Sequence, residues 1–211
     1  KDGGVAAFGW TTSNTTNNDA DYLYLRYDAN GDELVYRTLG DNQNNYGYGL
    51  TLTNENKLVL TGYTNEMTAM MTDLSGELIW EKTYAPACGG SYFKTTQTQD
   101  GGLAFIGSVS DNGNCRSMLL KTDINGNPLW GKQWDAKLRN MDEDSLGRIV
   151  LTGYKNYLPD MVVILFDSTR IREPKNTENL EISNPKDQDV AALMEELGVQ
   201  VGIDENAFEE E

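Results

Sequence analysis

The sequence contains no histidine, so it lacks the side chain that most often serves as a general base or a metal ligand near neutral pH. It contains two cysteines, Cys88 and Cys115, and two thiols alone do not close a tetrahedral zinc site. No apolar run approaches the roughly 18 residues of a membrane span. These absences leave little from which to build a hydrolytic metal centre, and we expect neither a metal nor another cofactor.

Positive charge is also scarce, because the 211 residues carry a net charge of −16. Residues 173–211 hold twelve acidic residues and two lysines. Nucleic-acid affinity depends on Lys and Arg neutralising phosphates, so we expect no nucleic-acid partner and no electrostatic docking on anionic lipid. The charge distribution divides the chain into a body, residues 1–172, and an acidic extension, residues 173–211.

One sequence unit recurs four times along the body. Its first half is a glycine turn followed by an apolar strand that ends in Gly and, in three copies, an aromatic residue. The copies are Asp2–Trp10, Lys57–Tyr63, Asp100–Ser108 and Gly147–Tyr154. Its second half is an apolar strand that ends in Asp, and the copies are Tyr22–Gly31, Ala69–Gly76, Met118–Gly126 and Met161–Asp167. A third strand follows the turn, and alignment of its aromatic residues gives Tyr36, Trp80 and Trp130 the same position, which we interpret as a packing anchor between repeats.

Each unit predicts a four-stranded antiparallel sheet, because short β-branched and aromatic runs alternate with Asn-Gly, Ser-Gly and Gly-Gly turns. A single such sheet cannot bury both faces, and repeats of about 40–50 residues with four strands are typical of β-propeller blades. We therefore predict an all-β, β-propeller-like array of about four blades. The first repeat starts at its second strand, so we expect that the chain has been processed or shortened at its start. Asn179–Asn184 alternates like a strand and is a candidate to complete the last blade.

The acidic extension contains one predicted helix, residues 185–198. Asn184 is a suitable N-cap, Pro185 suits the first helical turn and Gly198 is a natural stop. An apolar stripe at helical spacing consists of Val190, Leu193, Met194 and Leu197. Two interpretations stay open, a helix docked against the propeller and a helix that binds a partner. The acidic residues after it are predicted to be disordered on their own.

The two cysteines leave two alternatives open, buried free thiols or a disulfide. Cys88 precedes the first strand of the third unit and Cys115 begins its third strand, so both are expected at the same edge of one sheet. The flexible Gly89 and Gly90 favour an approach close enough for a bridge. A disulfide would place the protein outside a reducing cytosol.

Several acidic segments resemble catalytic or metal sites. Asp28–Asp32 and Asp123–Asn127 carry oxygen ligands on a glycine turn, as calcium loops do. They occur where every repeat needs a hairpin, so we interpret them as structural turns. Asp142–Asp144 is interpreted as a solvated turn, since no partner motif for acid–base chemistry accompanies it. We therefore predict a protein that is not an enzyme.

Aromatic residues supply the candidate binding surface. Trp10, Tyr63 and Tyr154 follow the glycine that ends a strand. Tyr46, Tyr48 and Tyr157 lie in the neighbouring loops, among many Asn and Thr residues. Aromatic side chains at an exposed edge stack on sugars or anchor a protein partner, whereas the alternative is that they pack between blades.

The repeat pattern of Asp-Gly-Gly, an apolar strand, Gly-Tyr/Trp-Thr, Asp-x-Asn-Gly and Leu-x-Trp-x-Lys resembles the propeller-like repeats of secreted proteins and surface lipoproteins in Bacteroidota-type bacteria. The resemblance covers residues 1 to about 170. It implies export to the outer membrane or cell surface, with membrane attachment through a lipid anchor upstream of Lys1. It favours a scaffold that binds protein partners, as an accessory subunit of an outer-membrane complex. The alternatives are a carbohydrate-binding surface module and a quinoprotein-type enzyme.

Overall fold

The computed structural model describes residues 3–13, 19–40, 43–88, 93–111, 113–155, 160–167 and 180–183. These residues form four antiparallel sheets and contain no helix. Sheet I consists of β1 (Val5–Thr11), β2 (Asp21–Tyr27) and β3 (Glu33–Leu39). Sheet II consists of β4 (Tyr46–Leu52), β5 (Leu58–Tyr63), β6 (Glu66–Thr72) and β7 (Leu78–Pro86). Sheet III consists of β8 (Phe93–Gln97), β9 (Leu103–Asp111), β10 (Asn114–Thr122) and β11 (Pro128–Trp134).

Sheet IV consists of β12 (Lys137–Glu143), β13 (Arg148–Lys155), β14 (Asp160–Asp167) and β15 (Leu180–Ser183). Strands pair in sequence order within every sheet, so each sheet is one blade of a propeller-like array. The predicted all-β fold with four blades is confirmed. So is the prediction that a strand within Asn179–Asn184 completes the last blade, because β15 pairs with β14. Among the described residues, no helix has the length and apolarity needed to cross a bilayer.

Three apolar cores hold the sheets together, one between each consecutive pair. Alternate residues of a strand face opposite sides of its sheet, so neighbouring positions serve different cores. Between sheets I and II, Tyr22 and Tyr24 pack against Leu58 and Leu60. The core between sheets II and III includes Val59, Met71, Phe105 and Leu120, and the core between sheets III and IV includes Ile106, Leu119, Ile149 and Ile164.

One hairpin turn is used repeatedly at the edge where β2, β6 and β10 end, which we call the lower rim. Gly31, Gly76 and Gly126 have φ values of 88°, 79° and 77°, a conformation that favours glycine. Asp123 Oδ1 accepts the main-chain N–H groups of Asn125 and Asn127 at 2.9 and 2.8 Å. The equivalent Asp28 and Asp73 bond the residues two and four positions later in the same way. These aspartates therefore act as caps of structural turns.

The alignment of Tyr36 with Trp80 and Trp130 is wrong. Trp80 pairs with Met71, and Trp130 pairs with Lys121. Each of these two partners lies two residues before the turn aspartate of its sheet. In sheet I the residue at the same distance before the turn aspartate is Arg26, and Arg26 pairs with Val35. Tyr36 pairs with Leu25 instead. Val35 accordingly packs into the core between sheets I and II, and Tyr36 is 47% exposed.

Several predictions concern residues outside the described ranges. The predicted helix, residues 185–198, lies there with its apolar stripe Val190, Leu193, Met194 and Leu197. Tyr157 and the acidic C-terminal residues also lie there. The boundary between residues 172 and 173 falls in the gap between β14 and β15, and both of these strands belong to sheet IV.

Candidate binding site

Four aromatic side chains form a row at the edge where β1 and β5 end, which we call the upper rim. Trp10 and Tyr46 meet edge to face, with ring centroids 5.4 Å apart. The Tyr46 and Tyr63 centroids are 5.3 Å apart. Tyr48 stacks nearly parallel on Tyr63 at 5.8 Å. This aromatic row, Trp10–Tyr46–Tyr63–Tyr48, joins sheet I to sheet II across the gap between them.

Strand pairing explains how the row is assembled. Trp10 ends the apolar run of β1, and Tyr63 ends that of β5, each directly after a glycine. Tyr46 is the pairing partner of Tyr63. The ladder between β4 and β5 shifts register between Gly47 and Gly49, so Tyr48 is the extra residue of a β-bulge. The bulge allows both tyrosines of β4 to reach Tyr63.

The aromatic row is partly open to solvent and uncharged. Trp10 is 49% exposed and Tyr48 is 41% exposed, whereas Tyr46 and Tyr63 are half-buried. Burial, together with the neighbouring Tyr63 hydroxyl, raises the pKa of Tyr48 above its usual value near 10. Tyr48 therefore stays protonated at neutral pH, and the row offers ring surface and hydroxyl groups without a net charge.

Two side-chain amides border the aromatic row. Asn65 follows the strand that ends at Tyr63, and its Nδ2 donates a hydrogen bond of 2.7 Å to Oε1 of Gln43. Gln43 lies just before β4, and both amide side chains belong to exposed residues. The composition of the sequence gave no signal for this pair, because the contact joins two loops that come together only when β4 and β5 pair.

Tyr154 is not part of the row. Its hydroxyl accepts a hydrogen bond of 3.1 Å from Nη2 of Arg139, and the guanidinium carbon is 5.6 Å from the ring centroid. The hydrogen bond from Arg139 is the main reason that the pKa of Tyr154 is lowered. Tyr154 is thus engaged in sheet IV, while four of the six predicted aromatic residues converge between sheets I and II.

The upper rim also carries the disulfide. Cys88 and Cys115 are bonded, with their Cα atoms 5.6 Å apart. The bond joins the segment after β7 to the start of β10, and it is supported by a hydrogen bond of 3.2 Å from the N–H of Cys88 to the carbonyl of Ser108. Of the two alternatives that the sequence left open, the structure holds the bridged one.

Side chains of the acidic segment Asp142–Asp144 form an ion pair and hydrogen bonds within the fold. Asp144 is 8% exposed and pairs with Nε of Arg148 at 2.6 Å, so the interpretation of a solvated turn is wrong for this residue. Glu143 Oε2 accepts the main-chain N–H of Gln99 at 2.7 Å. Among the described residues, no group of three or more His, Cys, Asp or Glu side chains is arranged to hold a metal ion.

Among the comparisons with known proteins, matches come from solved structures alone. No family model matches the chain, and no curated protein matches it. A solved structure, described as a protein of unknown function from Bacteroides caccae, is similar with a TM-score of 0.49 and 12% sequence identity. The match covers 69% of this chain and 53% of that chain, so this chain spans about half the length of the structure it matches.

Proposed function

We propose that this protein is a non-enzymatic binding platform that recognises a protein partner through the aromatic row at its upper rim. The observation that carries the proposal is the contiguity of the row, because four rings from two sheets are in contact while Trp10 and Tyr48 keep large exposed surfaces. Trp and Tyr dominate the energetics of protein interfaces, where a few anchor residues contribute most of the affinity.

The structure of the row suits recognition more than chemistry. Its rings are fixed by strand pairing and by one another, so little side-chain freedom is lost when a partner binds. Its neutrality contrasts with the net charge of −16 of the chain, which disfavours partners with strongly acidic surfaces. A partner surface that is apolar and carries hydroxyl groups fits both the neutral aromatic row and the negative charge of the chain.

We further propose that the protein works outside the cytosol, at the outer membrane or the cell surface, as an accessory subunit of a larger assembly. The disulfide between Cys88 and Cys115 supports this location, because disulfides persist in oxidising compartments. The resemblance of the repeats to those of secreted proteins and surface lipoproteins supports it as well. Attachment to the membrane would then come from a lipid anchor rather than from the blades.

The test is recovery of partner proteins from native membranes with the parent chain and with a W10A/Y48A variant. We expect the variant to recover at least about tenfold less of the same partner, since each lost aromatic anchor costs about 1–2 kcal/mol. Tyr36→Ala is the matched control, because Tyr36 is an equally exposed aromatic residue away from the row. Equal recovery by the parent and the double variant would contradict the proposal.

Carbohydrate binding is the second candidate, and the amide pair favours it. Asn65 and Gln43 place donors and acceptors beside rings that are able to stack on sugars. A glycan array separates the two functions. Saturable binding of one glycan class, lost in Trp10→Ala and kept in Tyr36→Ala, would establish the carbohydrate function in place of the protein one.

A further inference from the structure

The upper rim of sheet IV repeats the construction of the aromatic row with cationic side chains. Lys137 holds the place of Tyr46, because each begins the inner strand of its sheet and pairs with the tyrosine directly after the glycine of the next strand. Arg139 holds the place of Tyr48, because each is the extra residue of a β-bulge at the same point of the ladder. The same two positions are thus aromatic in sheet II and positively charged in sheet IV.

These two side chains share a small cavity with a third cation, which comes from sheet III. Arg116, in β10, lines the same cavity of about 100 Å³ as Lys137 and Arg139, and the described residues that line it include no acidic side chain. At its wall the hydroxyl of buried Ser117 accepts the main-chain N–H of Leu138 at 2.9 Å, which links the two sheets. We call Arg116, Lys137 and Arg139 the cationic cluster.

The potential at the cationic cluster is positive, and the pKa of the neighbouring Tyr154 responds to it. That pKa is lowered first by the hydrogen bond from Arg139, and further by the charges of Arg139 and Lys137. Both charges act in the direction that favours an anion, here the phenolate. The net charge of the whole chain, in contrast, is −16. The cavity therefore suits a carboxylate or another oxyanion.

The acidic extension leaves sheet IV close to the cationic cluster. One row of paired residues crosses the sheet from β12 to β15, namely Leu138, Gly153, Val162 and Ser183. Ser183 ends β15, and three strand spacings, about 14 Å, separate it from Leu138. Leu138 lies between the two cations of β12. The chain therefore continues into residues 184–211 at the level of the cationic cluster.

The extension supplies suitable anions at a suitable distance. Residues 204–211 contain five acidic residues and no lysine or arginine. A flexible linker with the length of residues 184–203 has a root-mean-square span of about 25 Å, which is enough to cross the gap of about 14 Å. A tethered group of this kind has an effective concentration in the millimolar range. An external anion has to exceed that concentration at equal affinity, so the segment of this chain is the favoured occupant.

We propose that residues 204–211 dock on the cationic cluster and cover it, so that the extension competes with any external anion for this site. The proposal is independent of the proposed function, because it involves neither the aromatic row nor a partner protein. Exposed ion pairs are individually weak and are screened by salt. Docking is therefore reversible and sensitive to ionic strength.

The first experiment treats the full 211-residue chain with a carbodiimide, which joins a carboxylate to a lysine amine only while the two are in contact. Cross-linked peptides are identified by mass spectrometry. We expect residues 204–211 to be joined to Lys137 within one molecule and not to Lys57, an exposed lysine at the lower rim. The yield should fall at least about threefold in 1 M NaCl, because the screening length is then about 3 Å.

An R116A/R139A variant keeps Lys137 as the reacting amine and removes the other two cations. Both arginines are exposed, so the melting temperature should stay unchanged while the cross-linking yield falls about threefold or more. The matched control is R37A/K57A, which removes the same charge from exposed ion pairs away from the cluster. We expect this control to keep the yield of the parent.

A second experiment tests whether the segment competes with external anions. The five acidic residues of 204–211 are changed to the corresponding amides, and binding of a labelled polyglutamate peptide is measured at low salt. We expect at least about threefold tighter binding than in the parent, and loss of this gain when R116A/R139A is added. An equal affinity of the parent and the amide variant would overturn the competition.

Four results of the cross-linking would overturn docking: no link between Lys137 and residues 204–211, an equal yield at Lys57, an unchanged yield in R116A/R139A, or links that form only between molecules. Mixing isotope-labelled and unlabelled chains identifies the last case, in which a second copy supplies the acidic segment.

Discussion

Gly62 lies directly against the carbonyl oxygen of Tyr46 on the neighbouring strand, which leaves no room for a side chain at position 62. Because the obstacle is backbone, Gly62→Ala has to push β4 and β5 apart. We expect a loss of about 2 kcal/mol in the free energy of unfolding, measured by guanidinium denaturation. Gly9→Ala, at the same repeat position with open space, should change stability by less than about 0.5 kcal/mol or raise it slightly. Equal losses in the two variants would contradict this explanation.

The corrected register of the third strands gives a second prediction. Trp80 packs into the core between sheets II and III and touches the turn at Gly126, so Trp80→Ala should lose about 3 kcal/mol of stability. Tyr36→Ala should lose less than about 0.5 kcal/mol, because Tyr36 is exposed and lies outside the core. Chemical denaturation of both variants checks the pair. A large loss for Tyr36→Ala would restore the alignment that places it with Trp80.

The disulfide offers a third prediction. The bond between Cys88 and Cys115 closes a loop with a sequence separation of 27 residues. For a loop of this length, chain entropy predicts a stabilisation of about 3–4 kcal/mol. We expect a reducing agent to lower the denaturation midpoint of the parent to that of a C88S/C115S variant, and to leave the variant itself unchanged. A parent whose midpoint does not respond to full reduction would contradict the prediction.

The turn aspartates predict how stability depends on pH. The pKa of Asp123 is lowered, first by the side-chain amide of Asn127 and then by main-chain N–H groups. A folded pKa below the unfolded value of about 3.9 stabilises the protein above that value, and the stabilisation is lost as the pH falls through the folded pKa. The contribution of Asp123 to the unfolding free energy should therefore be constant from pH 7 to about 5 and decline below about 4.

Asp123→Asn tests the assignment to this carboxylate. Asparagine keeps a side-chain oxygen that accepts the two main-chain hydrogen bonds but does not titrate. The decline in stability between about pH 4 and pH 2 should therefore be shallower in the variant than in the parent. Parallel curves over this range would assign the acid sensitivity to other groups.

Much of the fold is predictable from sequence because its signals are local. Hairpin turns need residues that tolerate positive φ, and the glycines at 31, 76 and 126 stand at such turns. Residue spacing also contained the correct register of the third strand, since Val35, Trp80 and Trp130 each lie seven residues after the turn aspartate. Alignment by aromatic character moved the comparison by one residue, and one residue reverses the face of a strand.

The candidate site was less predictable because it depends on how sheets stack. Trp10 and Tyr63 have the same repeat position as Tyr154, and nothing in that position distinguishes them. The aromatic row forms because β4 brings Tyr46 and Tyr48 between sheets I and II, and the bulge at Tyr48 has no sequence signature of its own. At Tyr154 the neighbouring residue is Arg139 instead, so the same motif produces a cation–aromatic contact.

The three separate cores have a consequence for how the molecule opens. Sheet III is held on both faces, by one core shared with sheet II and another shared with sheet IV. Among the described residues, sheet I shares a single core, the one with sheet II. It also has one strand pairing fewer than each of the other sheets. In stacked repeats the stabilising contacts form only between neighbouring sheets, so a sheet at the end of the stack detaches first. A ligand that binds sheet I would therefore stabilise the sheet that detaches first and slow the unfolding of the sheets stacked on it.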